Sequence, residues 1–527
     1  MKKIIYFIVL LMFMSCTKLD INVYDSIPEN KFPEDPAQAA LMMIPVYNPM
    51  SKFLDDGFDA SGKGIGGWWF CQELTSDEMV CPIRNTDWND GGKWAALYKH
   101  TWDNQTEAVT DMWPLFYSAI STTNKIYESL LSGAGTMAGD LTLAKLRIMR
   151  AYYYYLLIDN YGDVPYITTF KNAPNNPYRN HRAAIWDSIV HDITISLPYL
   201  NSSTSKTAVT KGMAFSLLAK LYLNSVVYTG NPQWAKAGAY CDSVINLNAY
   251  SLETSPLAPF ITANKTSVEN IFTIPFDENS EKGFNLHMRT LHYNSNLTFN
   301  MTVGPWNGFA VTEDFYNTYS PADKRVQGNN TFGIGNNKGY FLVGQQFTSA
   351  GAKIYDAGAG NDASGNPIPL ILNPHIPQLE MTAATNTPIE IRMSGARVVK
   401  FEVKLGASDN LSNSFPIFRF ADILLMKSEA LIRQGQNGDA PFNLIRDRAG
   451  IPELTNVGLD SLLAERGREM FWEAHRRQDL IRFDDALHSW SRTWWEKPAD
   501  DNYTTRKTFP IPQAQTDANP NLLRDVQ

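Results

Sequence analysis

The sequence predicts a mainly α protein: a scaffold of TPR-like helix pairs carrying an irregular, loop-rich region with short strands. Three observations predict it. Apolar residues recur at helical spacing over about 35–50, 106–131, 141–161, 182–200, 210–228, 232–247, 417–434, 438–449 and 459–483. Many of these runs stop at glycine, as at Gly162, Gly230, Gly435 and Gly450, and short polar links join them in pairs. Residues 251–415 are instead rich in Asn, Gly, Pro, Thr and Ser. A stretch of that length without long helices is not one loop.

From the N-terminus, Lys2 and Lys3 precede the apolar run Ile4 to Met14, which is too short to span a bilayer. Ser15-Cys16 then places a small residue before cysteine, as at a lipoprotein cleavage site. The reading is an export signal over 1–16 with lipid on Cys16, so that the mature chain is anchored to a membrane while its body stays soluble. The alternative is ordinary cleavage beside an incidental cysteine. No later segment is long and apolar enough to cross a membrane.

Residues 17–527 are read as a single domain, helical over about 17–250 and 416–527, with the irregular insert over about 251–415. Within the helical parts, 210–228 pairs with 232–247 and 417–434 with 438–449. Two helices cannot bury both apolar faces alone, so pairs stack. Thr210 and Asp439 are candidate N-caps. No strict 34-residue repeat survives, hence TPR-like. In the insert, "ENIFTIPF" and "ARVVKFEV" are β-type runs.

Composition narrows the function. Hydrophobic residues at 44% and charged residues at 19% suit a folded chain. A net charge of −8 spread along the chain argues against a nucleic-acid surface, which needs a clustered basic face. Aromatic residues at 12% hint at a stacking surface. Beyond Cys16 lie Cys71, Cys81 and Cys241 with no CxxC, which disfavours thiol redox and zinc-ribbon chemistry. Export permits a disulfide between Cys71 and Cys81; Cys241 reads as a buried small hydrophobe.

The search for catalytic motifs is mostly negative: GxSxG, HExxH and the Walker pattern are absent. "GKGIGG" at 62–67 reads as a loop. His287 and His292 do not form a familiar metal spacing, and neither metal nor cofactor is expected. Paired carboxylates are enough for glycoside hydrolysis, and Asp77 with Glu78 or Asp87 with Asp90 would be candidates. In "LAERGREMFWEAHRRQDLIRF", 463–483, Glu469 and Glu473 lie one turn apart and Glu473 can reach Arg477 at i,i+4. This reads as a helix clamped to its neighbours by ion pairs.

Several long motifs share a pattern. "RAYYYYLLIDNYGDVPYI" (150–167), "FRFADILLMKSEALIRQG" (418–435), "ERGREMFWEAHRRQDLIRF" and "TFPIPQAQTDANPNLLRD" (508–525) occur in order. So do "TKGMAFSLLAKLYLNS" and "MWPLFYSAISTTNKIYESL". From Cys16 to the C-terminus the chain resembles the SusD/RagB family of Bacteroidetes outer-membrane lipoproteins. The resemblance implies helix pairs with the ligand site in an irregular region. It also implies a cell-surface protein that binds oligosaccharides, caps a SusC-type TonB-dependent transporter and is not an enzyme. RagB-like members imply peptide as the alternative ligand.

The indoles then divide. Trp113, Trp186, Trp234 and Trp472 fall in or near helices and read as core. Trp68, Trp69, Trp88, Trp94 and Trp306 lie in Gly- and Asp-rich sequence and read either as stacking residues or as loop anchors. An indole can cover the apolar C–H face of a pyranose while polar groups take its hydroxyl rim. Asp77, Arg84, Asn89 and Asp90 are the candidates for that rim. A glycan-cleaving enzyme and a purely structural adaptor are the remaining readings.

Overall fold

The computed structural model describes residues 36–55, 66–133, 139–327, 339–499, 501–524 and 526. Cys16 and the leader lie outside them. The longest helices follow the periodic segments. We label α1 Trp68–Glu73, α2 Lys93–Tyr98, α3 Glu107–Gly133, α4 Gly139–Tyr161, α5 Arg182–Ser196, α6 Lys211–Leu223 and α7 Trp234–Ile245. In the C-terminal part come α8 Phe420–Ile432, α9 Asp439–Ala449, α10 Leu459–Met470 and α11 Arg476–Leu487. Consecutive helices pack together: α3 on α4, α4 on α5, α6 on α7, α8 on α9 and α10 on α11. Packing of α7 on α8 joins the two helical parts across the insert.

Helix α4 shows why the scaffold holds. It is buried on every side from Ile148 to Ile158, as a central helix must be, with its one charge there, Arg150, paired to Asp192 at 2.8 Å. Its tyrosines need partners for their hydroxyls. Tyr153 donates to the Val46 carbonyl at 2.5 Å and Tyr154 to that of Ile167 at 2.8 Å, while Tyr155 accepts from Gln478 at 2.8 Å.

Residues 251–415 contain short strands paired with distant segments. Asn270–Ile274 runs antiparallel to Phe415–Arg419, Met79–Val80 antiparallel to Ala310–Val311, and Ile83–Arg84 parallel to Glu380–Met381. The main hydrophobic core runs through helices and insert alike, and a smaller cluster forms around Val80, Tyr98, Leu379 and Met381.

Several expectations need correcting. The 35–50 segment is two short helices, Pro36–Leu41 and Ile44–Tyr47, followed by a 3₁₀ turn, with Pro45 and Pro49 at the starts of the later pieces. Thr210 does cap α6, accepting from Met213 at 3.2 Å. Asp439 is not the N-cap of α9: Gly438 is, and Asp439 instead accepts the backbone N–H groups of Asn456 and Val457 at 2.9 Å each. The 459–483 segment breaks between Met470 and Arg476, where Trp472 and Ala474 adopt φ of 66° and 63°. Glu473 therefore leaves the helix and meets Arg419 at 2.7 Å and Lys400 at 2.6 Å rather than Arg477. Cys71, Cys81 and Cys241 are all free and buried, and no disulfide links Cys71 to Cys81.

The ion-pair clamp is present, and it is larger than one helix. Arg419 reaches Glu269 and Glu469 at 2.7 Å each, Arg448 reaches Glu269 at 2.5 Å, and Arg325 reaches Glu465 at 2.7 Å and Glu469 at 3.1 Å. All are buried, so each charge depends on its partners. Glu269, Arg325 and Lys400 come from the insert and the others from the C-terminal helical part. The network fastens one to the other.

Candidate functional site: an aromatic platform

A tight turn begins the site. Asn85, Trp88 and Asp90 have φ of 63°, 64° and 41°, and Gly91 and Gly92 follow at 67° and 81°. A tryptophan in this left-handed region carries strain of about 1–3 kcal/mol, which surrounding contacts must hold in place. They do. Trp88 Nε1 donates to the Trp306 carbonyl at 2.8 Å. The ring lies on Gly308, where an added Cβ would come within 2.3 Å of it, and meets Phe309 at 5.3 Å.

Below Trp88 the rings continue inward. Phe309 lies 5.4 Å from Trp94 and 6.2 Å, stacked, from Trp69. Trp69 meets Trp472 at 4.8 Å and donates its Nε1 to the Trp472 carbonyl at 3.4 Å. The surface indole thus stands on an aromatic column rooted in the core.

Trp306 is 38% exposed, and the Arg289 guanidinium lies 5.3 Å from its ring centre. Tyr293 is half-buried and donates its hydroxyl to Asp87. Arg392 covers the Tyr293 ring at 4.7 Å and grips Asp356 through bonds of 2.6 and 2.8 Å. Asn294 donates to the backbone carbonyl of Tyr355, itself an exposed residue, at 2.9 Å. Burial pushes His292 down to about 4, so it is neutral beside Asp356, 3.2 Å away, at neutral pH. Burial opposes ionisation of Asp356, yet hydrogen bonds from His292 and Arg392 hold its carboxyl below the usual range.

Asp87, Asn89 and Asp90 are exposed at the rim. Asp90 accepts from Trp94 Nε1 at 2.7 Å, whereas the Asn89 side chain has no protein partner among the described residues. Exposed aromatic rings with amide and carboxylate groups near them suit a ligand having one apolar face and many hydroxyls.

Residues 268–526 match the family model described as the SusD family, and residues 72–223 match the model described as starch-binding associating with outer membrane. The starch-binding protein SusD of Bacteroides thetaiotaomicron is 24% identical over 502 residues, covering 89% of this chain and 86% of that protein. The chain belongs to the SusD/RagB family. Solved SusD structures share its fold. A SusD superfamily protein from Parabacteroides distasonis superposes with a TM-score of 0.70 at 19% identity, covering 92% of this chain and 98% of that one. The surface glycan-binding protein A of Bacteroides thetaiotaomicron, solved with laminarihexaose, gives 0.69 at 18% identity, covering 92% and 97%.

In this SusD/RagB chain the five candidate indoles part company. Trp88 and Trp306 come together at the surface. Trp68, Trp69 and Trp94 are 7%, 0% and 1% exposed and cannot meet a ligand face. The reason is local: they belong to α1 and α2, helices of six residues too short to show a period. Arg84 is buried, donating to the carbonyls of Ile391 at 2.7 Å and Ser394 at 2.9 Å, and burial lowers it to about 10. It braces the platform from below instead of serving its rim. Asp77 lies elsewhere, held by Arg476 at 2.7 Å and Arg492 at 2.7 Å.

Each carboxylate offered for paired acid–base work has a protein partner. Glu78 faces Glu73, Asp87 takes the Tyr293 hydroxyl, and Asp90 takes the Trp94 N–H. His287 bonds the Ser408 carbonyl at 2.9 Å, and no metal-binding cluster occurs among the described residues. Trp113, Trp186 and Trp472 are core, and Trp234 is half-buried. Tyr293, Tyr355 and Arg392 belong to the site without an indole to mark them. "LHYNSN" carries the signal, an aromatic residue among amides in the irregular region.

Proposed function

We propose that this SusD/RagB protein is a cell-surface lipoprotein, anchored through Cys16. It captures oligosaccharides and passes them to a SusC-type TonB-dependent transporter without cleaving them. The observation that carries the reading is the pairing of Trp88 and Trp306 beside Tyr293, on a turn whose left-handed backbone is locked by the aromatic column beneath. The names of its relatives, one starch-binding and one solved with laminarihexaose, support a glycan over another small ligand.

The magnitudes suit delivery. If each ring removes about 50 Å² of apolar sugar surface, stacking contributes about 1.2 kcal/mol per ring. Three rings give about 4 kcal/mol, near a millimolar dissociation constant before hydrogen bonds. Bonds to the rim bring the affinity toward micromolar, weak enough for release. The test is affinity electrophoresis of the mature protein in gels containing starch, laminarin and other glucans, with Trp88→Ala and Trp306→Ala beside it. We expect retardation on at least one gel and at least a tenfold weaker interaction in each variant. Retention of peptides with no retardation on any glycan gel would transfer the site to peptide capture. Release of reducing ends by the protein would make it an enzyme.

A further inference from the structure

A cleft of about 520 Å³, lined by none of the platform residues, lies between α2, α10 and the segment that follows α11. The size lies in the range of small-ligand sites. Its aromatic wall is Trp494, Trp495 and Tyr98. Both indoles are half-buried, so each has an open part and a packed part. The Tyr98 hydroxyl donates to the Trp495 carbonyl at 2.7 Å, with the two rings 6.1 Å apart, and Lys497 lies over the Trp494 ring at 4.3 Å. The wall is therefore held in place without a ligand, which lowers the entropy cost of binding.

The polar groups identify the chemistry. Asp77 at the base is fully engaged by Arg476 and Arg492. Arg492 uses one N–H for that bond and is half exposed, and its other guanidinium N–H groups have no protein partner among the described residues. Asp314 and Asp460 line the cleft with exposed carboxylates that accept no hydrogen bond from the described protein. Donors and acceptors thus face the same aromatic wall. An amine would meet Arg492 with like charge, and a carboxylate would meet Asp314 and Asp460. A hydroxyl both donates and accepts and satisfies each of them.

The geometry points to a second saccharide-binding site here, for a neutral, polyhydroxylated ligand stacked on Trp495. This rests on the proposed function and extends it. Thr312 lines the cleft and Trp306 belongs to the platform, so at most about 20 Å of extended chain separates the two.

The experiment compares retardation in starch and laminarin gels for the wild-type protein, Trp495→Ala, Trp495→Phe, Arg492→Ala, Trp88→Ala/Trp306→Ala and the triple variant that adds Trp495→Ala. We expect Trp495→Ala and Arg492→Ala to weaken retardation two- to fivefold and Trp495→Phe to restore most of it. The platform double variant should keep residual retardation that the triple variant loses. Wild-type retardation in Trp495→Ala and Arg492→Ala, or complete loss in the platform double variant, would overturn the cleft and leave the platform standing. No retardation of the wild-type protein on any gel would overturn both. Arg492→Ala, a substitution at a half-exposed side chain, keeps the test decisive if Trp495→Ala fails to fold. Retention of a casein digest that Trp495→Ala abolishes would assign the cleft to peptide and overturn the saccharide.

Discussion

At the scale of single residues, Gly308 decides whether Trp88 can lie flat. A methyl group there would sit 2.3 Å from the indole. Gly308→Ala should displace the ring and weaken glycan binding at least fivefold, measured by titration calorimetry, with a smaller effect on thermal unfolding than on affinity. Glu73 and Glu78 make a different residue-level prediction. Both are buried, facing each other and the backbone N–H groups of Ala474 and Trp472 at 2.5 and 3.5 Å. Burial pushes Glu73 up to about 7, and burial with the neighbouring Glu73 charge pushes Glu78 well above its ordinary value. The folded protein therefore holds protons that the unfolded chain has released. Stability contributed by the protonated pair is present below the unfolded value of 4.5 and is lost as pH rises through the folded values. Urea unfolding between about pH 5 and pH 8 should show this decline, and Glu78→Gln, neutral throughout, should flatten it.

At the scale of elements, the long helices could be read from sequence because their apolar spacing and terminal glycines say the same thing twice. Gly162, Gly230, Gly435 and Gly450 all take positive φ where those segments stop. The Thr210 cap was equally readable, and Thr210→Ala should cost about 1 kcal/mol in chemical denaturation. Two kinds of element escaped. Helices α1 and α2 span six residues each, less than two turns, so three indoles in them passed for loop residues. The bend at Phe471–His475 has no glycine or proline to announce it. Glu73 and Glu78, about 400 positions away, bind its backbone, and no local pattern records so remote a partner. The platform was half legible for the same reason. Trp88 and Trp306 stood in suggestive surroundings, but their meeting depends on a bond between segments 218 positions apart.

At the scale of the whole molecule, the buried network of Glu269, Arg325, Arg419, Arg448 and Glu469 joins the insert to the C-terminal helices. Glu469→Ala would take one carboxylate partner from each of three buried arginines, Arg325, Arg419 and Arg448, and should cost about 3–5 kcal/mol, seen as insoluble or poorly folded protein. The network also sets the acid limit. Burial alone would raise Glu465, but Arg325 and Arg468 hold it down at about 2, and Arg448, Arg419 and Arg325 hold Glu469 lower still. Their contribution is complete above the unfolded value of 4.5 and fades as pH falls through the folded values. Acid unfolding followed by circular dichroism should therefore begin below about pH 4.5, opposite in direction to the Glu73–Glu78 effect.

Trp69 rests on Trp472, and Asp77 is gripped by Arg476, residues 403 and 399 positions further along. A ribosome releases the earlier partner long before it has made the later one. During synthesis Trp69 and Asp77 lack these two partners until the last tenth of the chain arrives. Such long-range closure is slow. A chain cut short before Arg476 should accumulate as a sticky, protease-sensitive species.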